Sequence, residues 1–489
     1  MPFIAGAGEI RARKAREEFL RFARRESIDF PDYDVVEVEA PELFEDLFPW
    51  PDPPLAVFDG VRVPMELPER LWITDTTFRD GQQARKPFTV EQITRLYEFL
   101  HAIGGPRGKI LFTEFFTYTS RDREALRRVR ELGYEYPMVT GWIRASLEEL
   151  RRLAELGLSE TGMLASISDY HIFLKLREAG RRRAIEKYLT VLEEGLKRGI
   201  TMRVHLEDCT RANIFEVVVP FVRRVLRLSE KYGVAVRVRV PDTLGVGLPW
   251  PEASLPRSVP KIMWVLRHVC GVPSENLEFH GHNDFYLGVA NAVAAWLYGA
   301  ALNNTTLLGI GERAGNVPLE AMVFAHASLK GSFDGMNPRV LREVAEYFER
   351  ELGHRVPDLQ PLLGRNFFVT RAGIHIDGTL KDVRIYLPFD TKLLLGVEPG
   401  VEITPYSGAA GVAFWINNFF KLDGSKKVSK DHPAVQRIHA ELVSYFEGSG
   451  ALSAPESLML ELVRRHMPEL LVERQEDLGM HRSRSSAEA

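Results

Sequence analysis

Three short stretches of this chain carry residue types that can hold a divalent metal and a keto acid in one small volume. They are Asp75-Thr76-Thr77-Phe78-Arg79-Asp80-Gly81, His280-Gly281-His282-Asn283-Asp284 and Gly311-Glu312-Arg313-Ala314-Gly315-Asn316. Each falls where a predicted β-strand runs out. Together they offer an Arg, an Asp, two His and an Asn. His280 and His282 are two apart, and alternate residues of a strand point to the same face. Two imidazoles on one side of a strand can therefore grip one cation. A carboxylate near them would be costly if buried without a partner, but as a third ligand it is satisfied. A lone His-x-His is more often a packed or surface pair; the company of the other two motifs reverses that expectation. A mixed nitrogen and oxygen site with open positions suits Mn²⁺, Mg²⁺, Co²⁺ or Zn²⁺. The lack of a thiolate argues against a structural zinc site.

These residues need a frame. The chain has 489 residues, too many for one ordinary domain and enough for a large barrel with appendages. Its net charge of −4 leaves no basic excess to meet phosphates, which argues against nucleic acid as the main partner. The run Arg181-Arg182-Arg183 reads first as a solvated helix face, with CoA phosphates as the functional alternative. Only Cys209 and Cys270 occur, so a disulfide scaffold is excluded and a reducing cytosol fits. The start does not read as a signal peptide, and no apolar run is long enough to span a bilayer. The expectation is a soluble, cytoplasmic protein with no membrane partner.

Residues 1–70 read as a wrapping arm, not a domain: a basic amphipathic helix at about 8–26, then a proline-rich stretch around Leu47–Pro54 that excludes regular helix or strand. From about Leu71, short β-type runs alternate with amphipathic helical runs eight times. The predicted strands are 71–74, 109–113, 136–139, 160–164, 201–206, 234–240, 276–280 and 301–308. Eight such units over residues 71–331 have the period and size of a (β/α)₈ TIM barrel. A doubly wound open sheet is the structural rival, but only a closed barrel brings the ends of strands one, five, six, seven and eight to one mouth. Residues 332–470 read as one or two small helical subdomains, and 471–489 as a tail ending in a polar, disordered segment.

The three motifs, in this order and at barrel-compatible spacing, resemble those of the DRE-TIM metallolyase superfamily, in particular its Claisen-condensing branch of isopropylmalate, homocitrate, citramalate and Re-face citrate synthases. The resemblance extends from about Leu71 to about Leu470. It implies Asp80 as a metal ligand, with His280, His282 and Asn316 on or near the metal, and Mn²⁺ as the first choice of ion. It implies that Arg79 points at the keto oxygen of the substrate, where it would stabilise the forming alkoxide; the bland reading is a rim salt bridge. Glu207 matches the catalytic Glu of the synthases. A carboxylate alone is a weak base for the methyl group of an acetyl thioester, so a coupled partner is expected. His375 matches a His that family members bring from the neighbouring subunit, which implies a homodimer; a buried structural His is its rival. Thr243 matches the hydroxyl that holds the keto acid's 1-carboxylate. Glu114 matches an acidic residue of the family's site, although Phe115-Phe116-Thr117-Tyr118 departs from the usual glycine-containing segment.

Specificity must come from groups facing the far end of the keto acid, and a second carboxylate there wants a cation. Arg203 lies four residues before Glu207 on the same strand face and matches the distal-carboxylate Arg of homocitrate synthases. The rival reading is an Arg203 that simply pairs with a nearby acid. His205 lies between them where those synthases usually carry a small hydroxyl residue. A bulkier, cationic His would shorten the pocket and favour oxaloacetate over 2-oxoglutarate. The expected reaction is therefore condensation of acetyl-CoA with oxaloacetate to citrate and CoA. Homocitrate or isopropylmalate synthesis is the nearer alternative. A hydroxyacyl-CoA lyase is the more distant one, disfavoured because its Cys-containing loop is absent from 311–316. A non-catalytic binding protein on a barrel is disfavoured by the retention of Arg79, Asp80, Glu207, His280 and His282 together. The short remainder after Leu470 leads to the expectation of no leucine-regulated domain.

Overall fold

The strands alternate, but the apolar residues face outward. In the sixth strand Val236, Val238 and Val240 are buried, with Arg237 and Arg239 between them. Met202 of the fifth strand packs so closely on the helix before it that a Cβ on Gly195 would meet its sulfur. Its neighbour Arg203 reaches Glu114 of the second strand. Residues of non-adjacent strands can meet in this way only across a closed interior.

A computed structural model describes residues 34–471. Eight parallel strands close into a barrel in sequence order: β1 Trp72–Asp75, β2 Ile110–Phe115, β3 Met138–Arg144, β4 Glu160–Ser166, β5 Thr201–Glu207, β6 Val236–Asp242, β7 Leu277–Gly281 and β8 Leu302–Thr305. β1 pairs with both β2 and β8, which excludes the open-sheet rival. Each strand is followed by a helix: α1 Val90–Gly104, α2 Ser120–Glu131, α3 Leu147–Glu155, α4 Arg181–Lys197, α5 Val219–Tyr232, α6 Val259–Trp264, α7 Gly288–Leu297 and α8 Leu319–Lys330. Capping boxes start α1 (Thr89 with Gln92) and α2 (Thr119 with Asp122), satisfying N–H groups the first turn leaves free.

The proline-rich stretch forms turns and bends, as its composition requires. The arm is tied to the barrel by a buried ion pair, Lys261 with Asp59, and by Arg181, which is held by Asp169 and donates to the carbonyl of Val36. Arg181 thus corrects the solvated-face reading of its run. Its side chain is fully buried while Arg182 and Arg183 remain exposed, because α4 begins against the arm and only the first Arg is enclosed there, Arg182 reaching the Val35 carbonyl from the surface. The helix expected at 8–26 and the terminal tail from 472 lie outside the described residues.

The chain divides into two compact units, Met1–Val340 and Leu341–Ala489. The second is mainly helical, with helices Gly373–Lys381, Gly408–Phe419, Pro433–Ser449 and Glu456–His466 around a core of Val412, Ile416, Val435, Ile438, Leu442 and Met459. A two-stranded parallel pair, Val369–Thr370 with Gly400–Val401, completes it.

Candidate active site

β1 ends at Asp75, and the turn after it carries Arg79 and Asp80 into the barrel mouth. β7 carries His280, and His282 follows one residue beyond its end. The segment after β8 folds back so that Asn316 bridges to His282. Gly311 is required there, since a Cβ on it would clash with the Asn316 amide oxygen. Asp80, His280 and His282 are all buried, and one ligand atom from each lies within 4.8 Å of the others. The two imidazole Nε2 atoms are 3.2 Å apart, and Asp80 Oδ2 is 3.4 Å and 3.6 Å from them.

The lone pairs are aimed inward. His280 Nδ1 meets Asn304 Oδ1 at 2.7 Å, so that nitrogen carries the proton and Nε2 is left as an acceptor. Asn304 is fixed in turn by Thr74, whose hydroxyl bonds Glu278. Burial pushes both imidazoles toward the neutral, ligating form. Burial alone would raise the Asp80 carboxyl, but the Arg79 guanidinium beside it, with the Asn316 amide, outweighs burial and holds it well below the usual carboxylate range. Asn316 donates to Asp80 Oδ2 at 2.8 Å, while its own amide oxygen is buried without a partner. One carboxylate and two neutral imidazoles form a set of acceptors that a divalent cation fits.

Arg79 sits beside this set. Its Nη1 donates to Asp80 at 3.0 Å, its Nε lies 3.6 Å from Glu114, and its guanidinium packs 5.1 Å from the Trp142 ring. Asp80 thus holds one edge of Arg79, while its Nε has no hydrogen-bond partner.

Three expectations meet a different geometry. Arg203 is fully buried and committed: it donates to Glu114 at 2.6 Å, to Thr140 at 3.2 Å and to Glu160. Its guanidinium reads the barrel's own carboxylates, which corrects its expected role at the distal carboxylate. Glu114 is equally enclosed, bonded by Arg203, by Arg239 at 2.8 Å and by Thr76 at 2.8 Å. It is an anchor for guanidiniums and not a surface for substrate. His205 is buried but neutral, not cationic: burial and the nearby Arg239 push its pKa well down despite Glu114. Trp142 Nε1 faces His205 Nδ1 at 3.3 Å. Gly162 on β4 makes the room, since a Cβ there would lie 2.6 Å from His205 Nε2.

Glu207 closes β5 with its side chain 15% exposed. Ser166 donates to it, Lys175 Nζ lies 2.7 Å and 2.8 Å from its oxygens, and His171 Nδ1 is at 3.0 Å. Burial would raise its pKa, but His171 and Lys175 bring it down to about 2. Thr243 is half-buried, and its hydroxyl accepts the backbone N–H of Asp208 at 2.8 Å. His375 lies in the second unit. It is exposed, with its ring 4.6 Å from that of Tyr386, so the buried structural reading does not hold. Sequence reasoning missed Trp142, His171, Lys175 and Asn304. The strand predicted at 136–139 stops short of Trp142; the observed β3 runs to Arg144 and brings it inward.

The HMGL-like family model matches residues 70–347, the barrel with its motifs. The chain belongs to the HMGL-like family. It is 45% identical over 446 residues to the citrate (Re)-synthase of Clostridium kluyveri, an alignment covering 91% of this chain and 98% of that one. It is 42% identical to the citrate (Re)-synthase of Syntrophus aciditrophicus, covering 92% and 72%. The 2-phosphinomethylmalate synthase of Streptomyces hygroscopicus is 38% identical, covering 87% and 96%. Similarity over nearly the whole chain takes in both units of this HMGL-like protein. Among the described residues, no helix is long and apolar enough to cross a membrane.

Proposed function

We propose that this protein condenses acetyl-CoA with oxaloacetate and releases citrate and CoA, the reaction of a citrate (Re)-synthase. The observation that carries the reading is the buried Asp80–His280–His282 cluster beside Arg79 at the barrel mouth, in a chain similar along its length to proteins of that name. Asp80, His280 and His282 would hold a divalent metal, Mn²⁺ first, with Asn316 beside it. When bound, such an ion supplies Lewis-acid polarisation of a keto acid's oxygens.

The chain's own residues do the rest. Arg79 directs a guanidinium edge at the keto oxygen and stabilises negative charge as the carbonyl is attacked. Thr243 offers its hydroxyl to the 1-carboxylate. Glu207 takes part in removing a proton from the acetyl methyl group. His375 serves the site from the second subunit of a cytoplasmic homodimer. Hydrolysis of the citryl thioester draws the condensation forward.

The pocket's floor supports the shorter keto acid. Trp142 packs on Arg79 and faces His205, while the guanidinium of Arg203 is spent on Glu114 and Glu160. A 2-oxoglutarate side chain would need the depth that this pair fills, which counts against homocitrate synthesis.

The test is steady-state CoA release with Mn²⁺ present, comparing oxaloacetate, 2-oxoglutarate, ketoisovalerate and pyruvate. We expect the highest kcat/KM with oxaloacetate. A higher value with any of the other three sinks the assignment.

A further inference from the structure

The residues around Glu207 are arranged more tightly than a lone catalytic carboxylate requires. Between β4 and α4 the chain makes a π-helical turn, Tyr170–Lys175, closed by Leu176 N–H to the carbonyl of His171. Such turns are rare, and they concentrate at functional sites. This one brings His171 and Lys175, four residues apart, onto the same carboxylate. Lys175 spans both oxygens of Glu207, while His171 and Ser166 approach Oε2.

The turn is itself locked. Ser168 donates to Asp208, and His171 N–H lies 3.3 Å from the Ser168 hydroxyl. Arg211 donates to both Asp208 oxygens at 3.0 Å and 3.1 Å, and its guanidinium lies 3.9 Å from the Tyr170 ring. Asp208 takes a left-handed φ of 65°, which a non-glycine residue adopts at a cost unless its surroundings fix it. The β4 turn and the end of β5 thus form one interlocked piece.

We propose that His171 and Lys175 are positioning residues for Glu207, clamping its carboxylate in one orientation and as the anion until substrate arrives. The proposal rests on the assignment of Glu207 to proton removal given above. The two basic residues differ in freedom: the Lys175 side chain is 45% exposed and His171 15%. Lys175 is therefore the partner that can leave, and its departure raises the basicity of Glu207 when a methyl proton has to be taken. The groups facing Glu207 are Ser166 from β4, His171 and Lys175 from the turn, Asp208 beside it, and Tyr188 of α4, whose hydroxyl donates to the Ser166 carbonyl. His171 also faces Asp208, with Nε2 3.7 Å from Oδ2. Only the two basic groups among these change the charge that Glu207 feels in the desired direction.

The experiment follows the Glu207 carboxyl by ¹³C NMR against pH in the full-length protein, its signal identified by its loss in Glu207→Gln. Lys175→Gln should raise the titration midpoint by about one pH unit, and His171→Asn should raise it by a similar amount. Lys175→Arg should restore the low midpoint. In parallel, the acid limb of kcat/KM for oxaloacetate should move up with the NMR midpoint, while KM for oxaloacetate changes less than about threefold. A midpoint unmoved in both Lys175→Gln and His171→Asn overturns the clamp. If His171→Asn fails to fold, the half-exposed Lys175 variants carry the test. A wild type inactive with every keto acid would sink the function proposed above, while the NMR titration would still decide the clamp.

Discussion

Deep in the barrel, Glu114, Glu160 and Glu278 face Arg203, Arg237 and Arg239; at the mouth, Asp80 faces two neutral imidazoles and an amide. The deep cluster is charge-matched, three carboxylates against three guanidiniums, and each charge has its opposite within 4 Å. The mouth has the same burial but an excess of acceptors, with Asn316 Oδ1 left without a partner. Burying polar groups is costly in both places. In the interior the cost is offset by neighbours within the chain. At the mouth Arg79 and Asn316 offset it for Asp80, while the Nε2 lone pairs of the two imidazoles are left for something that arrives. A matched cluster therefore reads as architecture and an unmatched one as a site, although both draw on the same residue types.

The contrast can be broken most severely at Asp80. Asp80→Asn keeps the shape and removes the one negative ligand. We expect CoA release to fall by about a thousandfold or more and Mn²⁺ binding to be lost, while the apo protein melts nearly where the wild type does. Isothermal titration with Mn²⁺ and a thermal melt read the two arms. Unchanged Mn²⁺ affinity would mean that the mouth is not the metal site.

Glu114→Gln probes the other region. It leaves Arg203 and Arg239 facing an amide inside the barrel, and breaking a buried ion pair from one side costs about 3–5 kcal/mol. Urea unfolding should show a loss of that order. A loss below about 1 kcal/mol would mean that the interior charges do not hold the barrel together.

The smallest effect sharpens the comparison through pH. Asp75, buried at the end of β1 among the hydroxyls of Thr77 and Thr113, has its pKa raised by burial from 3.8 to about 7. Glu207, beside His171 and Lys175, is lowered from 4.5 to about 2. The signs are opposite. Asp75 binds its proton more tightly when folded, so its contribution is full below 3.8 and is lost as pH rises through about 7. Glu207 contributes above 4.5 and loses that contribution as pH falls through about 2. Denaturant midpoints measured across this range should show Asp75→Asn flattening the upper window and Glu207→Gln the lower. Matching slopes in both variants and the wild type would contradict this.

Much of the site could be read in the sequence. His280 and His282 share a face because a strand repeats every two residues, and that rule needs no partner strand. The alternation of strand and helix sets a barrel, and the barrel sends strand ends to one mouth. Arg203 shows where that reasoning stops. The same period of two correctly turned it inward with His205 and Glu207, yet facing inward is not reaching the mouth. Four residues of strand put it a layer lower, among Glu114 and Glu160. Trp142 was hidden because it lies three residues beyond the predicted strand end at Val139, and His171 and Lys175 by a π turn that no periodicity announces.

The sequence by itself determined the order of elements, the motifs at their ends and the identity of the side chains gathered at the mouth, because these depend on local period and turn chemistry. Only the tertiary structure decided which inward charges are spent on one another and which are left for a ligand. Closure of the barrel sets the register between strands that are far apart in the chain, and that register fixes the distances on which pairing depends.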